Sequence, residues 1–281
     1  MTMKKTRILG VAGALTALTF SGAAMADHWW GGYAWPYSGA ELDMPVIDNT
    51  NSTWNSHVAQ AVSDWNQSPV IEAPLQRGSA SSACNMVTGT IQVCNDNYGS
   101  TGWLGIATIS LSSGKISAGS TKLNDYYFNQ AAYDNYSWRQ LVTCQEIGHD
   151  YGLAHQNENF NTDETTSCME YTSWPSGNEG PDQHDYDQLL TMYSGGGTDG
   201  GGGTTKPGGG KGGGNGKGKN RASLPDVGNT PATWGRPVDR LPNGVPHVFV
   251  RESNGVKFVT HVTWTPEYLA EHGGDHGDHE H

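Results

Sequence analysis

Cys144-Gln-Glu-Ile-Gly-His-Asp-Tyr-Gly-Leu-Ala-His155 is the stretch whose reading decides the fold. Ser137 reads as an N-cap, and Leu141, Cys144, Gly148 and Tyr151 line one face, so the spacing predicts a helix that Gly152 ends. Positions 145 and 149 are i and i+4, one turn apart on the same side, and two side chains so placed can grip one ion. Glu146 points about 100° round the axis, near such an ion, where it can take a proton from bound water. His155 lies past the helix end and reaches the same ion only if the chain turns back; Gly152 permits the positive φ that this requires. The i position holds Gln145, whose neutral, hard amide oxygen is a weaker zinc ligand than imidazole. Cys144 is about 140° away from His149 round the helix and points to another side.

Upstream, the chain opens with Lys4, Lys5 and Arg7, an apolar core from 8 to 20, and Ala24-Met25-Ala26 as a cleavage site. These are the three parts of a secretory signal peptide, predicted over 1–26. No other stretch approaches the roughly 20 apolar residues of a membrane span, so no membrane association is expected after cleavage. The chain has 16 basic and 28 acidic residues; the signal removes three basic ones, and 13 minus 28 leaves −15. Such a surface repels nucleic acid and anionic membrane, and fits a secreted, extracellular, monomeric protein. Cys84, Cys94, Cys144 and Cys168 are even in number in an exported chain, which predicts two disulfides among three pairings.

Residues 29–37 carry five aromatics and no charge. Left in water this would be a sticky patch, so it is expected to pack on the main domain, with a carbohydrate-stacking surface as the alternative. Trp54, Val58, Val62 and Trp65 fall at helical spacing and predict a helix over 53–65. Short β-branched runs at 91–93, 104–111 and 120–123, separated by Gly, Ser and Asn, read as strands. A third helix is predicted over 181–193.

Beyond it the composition changes. Residues 195–218 hold 15 glycines and no apolar anchor, the composition of a flexible linker. Further on, runs at 248–250 and 256–264 flank Asn254-Gly255, a strong hairpin signal, and Val256, Phe258, Thr260, Val262 and Trp264 share one face. This predicts a small β module that docks on the first domain or on a partner. The chain closes with His272, His276, His279 and His281 among acidic residues, a solvated tail or a loose metal scavenger. The expected domains are thus 1–26, 27–194, 195–222, 223–268 and 269–281.

Glu146, His149, Gly152 and His155, together with Ser167-Cys-Met-Glu-Tyr171, resemble the metzincin clan of zinc endopeptidases, in its matrixin, serralysin and astacin branches. The resemblance covers roughly 40–194 and implies an α+β fold: a zincin domain with long helices and a mixed, mainly parallel sheet. By the same resemblance Met169 is the Met-turn residue and Tyr171 the stabiliser of an oxyanion. One catalytic Zn2+ is then expected on His149, His155 and Gln145, with Glu146 as general base and peptides or proteins as substrates. A structural Ca2+ is compatible but has no readable ligand run. Since the Met-turn lies against the metal helix in that clan, a Cys144–Cys168 bridge is implied, leaving Cys84–Cys94 to close a small loop. His184 is expected to buttress the last helix. With Gln145 in the first ligand position, the other reading is an inactive metzincin-fold binding protein.

Overall fold

The stripe of Trp54, Val58, Val62 and Trp65 is buried to 3% exposure or less, as an amphipathic helix against a core requires. The computed structural model describes residues 28–39, 41–160, 162, 164–194 and 222–274. The expected signal peptide, the glycine-rich stretch up to residue 221 and the last seven residues lie outside the described residues.

The first half runs β1 (Leu42–Asp43), β2 (Val46–Asp48), α1 (Asn55–Trp65), β3 (Ile71–Glu72), β4 (Leu75–Arg77), β5 (Ile91–Asp96), β6 (Trp103–Ser112) and β7 (Lys115–Asn124). It continues with α2 (Asp125–Phe128), α3 (Tyr136–Asp150) and α4 (Gln183–Tyr193). After the glycine-rich stretch come α5 (Pro231–Trp234), β8 (Arg236–Arg240), β9 (Pro246–Ser253), β10 (Val256–Trp264) and α6 (Pro266–His272).

Eight strands form one sheet in the order β4-β2-β5-β7-β6-β10-β9-β8. Pairing is parallel from β4 to β7 and antiparallel from β7 to β8, so the sheet is mixed and the fold α+β. The expected C-terminal hairpin is present, turning at Asn254 and Gly255 with φ of 53° and 77°. It is not a satellite module. β10 pairs antiparallel with β6 from Lys257↔Leu111 to Trp264↔Trp103, which makes it an interior strand. The edge falls to β8, fully exposed and carrying Pro237, Arg236 and Arg240, residues that discourage further pairing.

Each face of the sheet carries its own core. On one side α1 and α3 pack with Val93, Ile109, Leu123 and Val259. On the other, Trp103, Ile106, Trp234, Phe249, Phe258, Val262 and Trp264 pack together, and Tyr171 joins them. Burying each large side chain contributes about 1.5–3 kcal/mol, so β10 is anchored from both faces. The N-terminal aromatics pack on the main body as expected, with Trp30 and Trp35 buried. Trp30 N–H donates to Gly152 O, and Trp35 Nε1 to Asp150 O, which fastens this segment across the end of α3.

The motif helix begins one cap earlier than its sequence suggests: Asn135, not Ser137, accepts from Trp138 N–H. Gly152 follows at φ +100°, and a Cβ there would sit 2.5 Å from Tyr33 O, so only glycine fits. Both disulfides form as the resemblance implies, Cys84–Cys94 and Cys144–Cys168. The second ties α3 to the segment carrying Met169. No helix among the described residues is long and apolar enough to cross a membrane.

Candidate metal centre

α3 is buried almost throughout, so each side of it has an assigned neighbour. Val142 and Glu146 face β6: a Cβ on Gly105 would lie 2.6 Å from both Glu146 Oε1 and Val142 Cγ1. Gly148 faces Met169, whose Sδ a Cβ would meet at 2.5 Å. His149 turns toward β10, and after Gly152 the chain doubles back and delivers His155 beside it. Their Nε2 atoms lie 3.1 Å apart.

That approach is informative because the other ring nitrogens are engaged. His149 Nδ1 lies 2.8 Å from Leu153 O, which can only accept, so Nδ1 holds the proton and Nε2 a lone pair. His155 Nδ1 faces the carboxylate Glu158 Oε1 at 3.4 Å, which favours the same tautomer. Two lone pairs 3.1 Å apart repel unless a cation lies between them. Ligands about 2.0–2.1 Å from a tetrahedral zinc are about 3.4 Å from one another, and the observed spacing is close to that edge.

The third member of the cluster is His261, from the middle of β10. Its ring stacks on His149 with centroids 3.9 Å apart, and His149, His155 and His261 bring ligand nitrogens within 4.8 Å of one another. His261 is 1% exposed, and neither of its ring nitrogens has a hydrogen-bond partner, an arrangement that costs about 1–3 kcal/mol unless a ligand fills it. Trp30 packs edge-on against His261 at 4.0 Å and walls the cluster off. Burial holds His149 and His261 well below the ordinary histidine range and takes His155 down to about 3. All three are therefore neutral at pH 7, as metal ligands must be.

Gln145 is not in this group. Its Nε2 donates to Cys168 O at 2.9 Å and Glu170 O at 3.0 Å, and its Oε1 accepts from Thr263 Oγ1 at 2.7 Å. The sequence reading expects Gln145 to be a metal ligand; here its amide satisfies the carbonyls of Cys168 and Glu170 and the Thr263 hydroxyl on β10. Glu146 is fully buried, neither of its carboxylate oxygens has a hydrogen-bond partner, and burial raises its pKa to about 8. Tyr171 is buried and its hydroxyl accepts from Trp264 N–H at 2.7 Å. Met169 packs against α3 at Gly148. Its N–H donates to Ser167 Oγ, which donates to Asp185 Oδ2, and His28 Nε2 lies 3.0 Å from the other oxygen of Asp185. His184, on α4, stacks on His28 at 4.7 Å, a buttress rather than a ligand.

The sequence reading missed His261, His247 and Glu158. A single histidine in a strand has no ligand spacing to betray it. The available signal was the second face of β10, where Val259, His261 and Thr263 alternate with the apolar set, marking a strand buried on both sides.

No protein-family model matches the chain, and no curated protein matches it. Among solved structures the chain is similar to high choriolytic enzyme 1, a hatching enzyme zinc-protease from the medaka fish Oryzias latipes, at 11% identity and a TM-score of 0.31, covering 59% of this chain and 96% of that one. A likeness this loose defines neither the fold nor the activity of the present chain.

Proposed function

We propose that this chain is an exported zinc-dependent endopeptidase of the metzincin type, held closed by its own C-terminal strand. The observation that carries the reading is the proximity of three buried, neutral imidazoles, His149, His155 and His261, whose ligand nitrogens lie within 4.8 Å of one another beside the motif helix. These residues would hold a zinc ion, which would supply Lewis-acid polarisation of a peptide carbonyl and a water of lowered pKa. Glu146, one turn before His149, is held protonated by burial while β10 is in place. Opening would hydrate it and lower its pKa, so that it serves as the base that accepts the proton and returns it to the leaving amine. Tyr171 is the hydroxyl that donates to the oxyanion.

In the closed form β10 engages His149, Gln145 and Tyr171. His261 stacks on His149, Thr263 holds Gln145 Oε1, and Trp264 N–H occupies the Tyr171 hydroxyl. It also fills the edge of β6 that an extended peptide would otherwise pair with. Displacing β10 withdraws His261, frees Tyr171 and releases Gln145 Oε1 together, which leaves His149, His155 and Gln145 as the ligand set of the open form. Protein or peptide substrates then reach the metal along β6.

The test is zinc content and casein cleavage by the intact chain, and by the chain cut at a site engineered within 195–221 and separated from its C-terminal piece. Expected are zinc in the intact chain that falls by one equivalent in His149→Ala and His261→Ala, no cleavage by the intact chain, and cleavage by the separated body that Glu146→Ala abolishes. Cleavage by the intact chain overturns the closure. If neither form cuts, the second reading stands: a non-catalytic extracellular metal-binding protein, favoured by the sealed packing of Glu146 against Gly105.

A further inference from the structure

His155 presents its two ring nitrogens to different neighbours. Nε2 faces His149, while Nδ1 lies 3.4 Å from Glu158 Oε1. The same carboxylate oxygen is 3.5 Å from Nε2 of His247, on β9. Both distances are long for a charge-assisted hydrogen bond, which closes to about 2.7–2.9 Å. Both match the roughly 3.4 Å edge of a tetrahedral ligand set around zinc. The ligand atoms of His155, Glu158 and His247 all lie within 4.8 Å of one another.

An orienting carboxylate behind a metal-binding histidine is a common arrangement, and it accounts for Glu158 alone. It leaves His247 unexplained. That side chain is fully buried, and neither ring nitrogen has a hydrogen-bond partner. A leucine would fill the position without the cost of about 1–3 kcal/mol that an unsatisfied buried polar group carries. The rings of His155 and His247 lie nearly parallel, 22° apart with centroids at 5.6 Å, and both face the Glu158 carboxylate. Glu158, in turn, lines a cavity of about 300 Å³ with Phe160, Leu241 and Leu269, and so gives an ion a route from solvent.

We propose that His155 Nδ1, Glu158 and His247 form a second divalent-cation site, outside the first and sharing His155 with it. His155 would offer Nε2 to the first site and Nδ1 to the second, and filling the second would release the Nδ1 proton to solvent. Zinc and copper(II), which imidazole and carboxylate together suit, are the ions expected. The outer site depends on the function proposed above only through His155.

The experiment is metal counting on the full chain, stripped with a chelator and reloaded with zinc alone or copper(II) alone. Wild type is expected to hold two equivalents, Glu158→Gln and His247→Ala one each, and His155→Ala none. Doubly loaded copper protein is expected to show a spin-coupled signal that Glu158→Gln abolishes. Glu158 is half-exposed, so its glutamine variant keeps the fold even where His247→Ala does not. One equivalent in wild type, unchanged in Glu158→Gln, overturns the proposal. A count that falls in Glu158→Gln but not in His149→Ala or His261→Ala supports the outer site and sinks the inner one.

Discussion

Gly105→Ala probes how tightly Glu146 is sealed. The new methyl would lie 2.6 Å from Glu146 Oε1, 2.6 Å from Val142 Cγ1 and 2.8 Å from Glu146 Cγ. Real methyl contacts do not approach so closely, so something must move. Neither obstacle moves freely: Val142 is β-branched and stiff at χ1 in a helix, and Glu146 is clamped between α3 and the sheet. Overpacking of this kind costs about 1–3 kcal/mol. For a folded unit of 150–250 residues that is a fall in Tm of about 2–12 °C, measurable by calorimetry or circular dichroism. The assay gains force as a double-mutant cycle. Val142→Ala removes one of the clashing atoms, so the pair should be less damaging than the sum of the singles by about 1 kcal/mol or more. An unchanged Tm in Gly105→Ala, or strict additivity with Val142→Ala, would refute the packing of Glu146 and Val142 on β6.

Three further outcomes are expected. Replacing Cys144 and Cys168 together by Ala reopens a loop with a sequence separation of 24 and should cost about 3–4 kcal/mol in urea unfolding, against somewhat less for Cys84 and Cys94 with a separation of 10; the reverse order would contradict it. Thr263→Val leaves Gln145 Oε1 unpaired in the core and should destabilise by about 1–3 kcal/mol in the same assay. The metal-free protein should be acid-labile. Burial takes His155 down to about 3 and His247 to about 4, so below the unfolded value of about 6.5 the unfolded chain binds protons that the fold refuses. Stability then falls as pH drops from about 6.5 toward 4, by about 2 kcal/mol for each histidine at pH 5; a flat profile from pH 7 to 5 would count against their burial.

The motif helix, α1 and the hairpin were legible because each is written in local periodicity or turn chemistry. The i, i+4 spacing alone could not say which way Gln145 would face. That was decided by carbonyls at Cys168 and Glu170 and a hydroxyl at Thr263, partners brought in by tertiary structure. The hairpin's own register was readable at Asn254-Gly255, but its place beside β6 was not, because strand alternation names the faces of a strand and not its neighbours. On the face opposite Phe258, the apolar Val259 was the clearest sign of burial on both sides.

The position of β10 also sets the order in which this protein can become itself. Gln145 and its partner Thr263 are 118 residues apart, so these contacts close late and at the entropic cost of long loops. Until the last strand arrives, one edge of β6 is unpaired and Trp103 and Ile106 lack their cover from β10, the kind of surface that seeds aggregation during folding. A chain halted before β10 would lack both the seal and the third imidazole. If the inner site proposed above takes an ion, its loading would double as a proofreading step, since only a chain synthesised through His261 presents all three imidazoles.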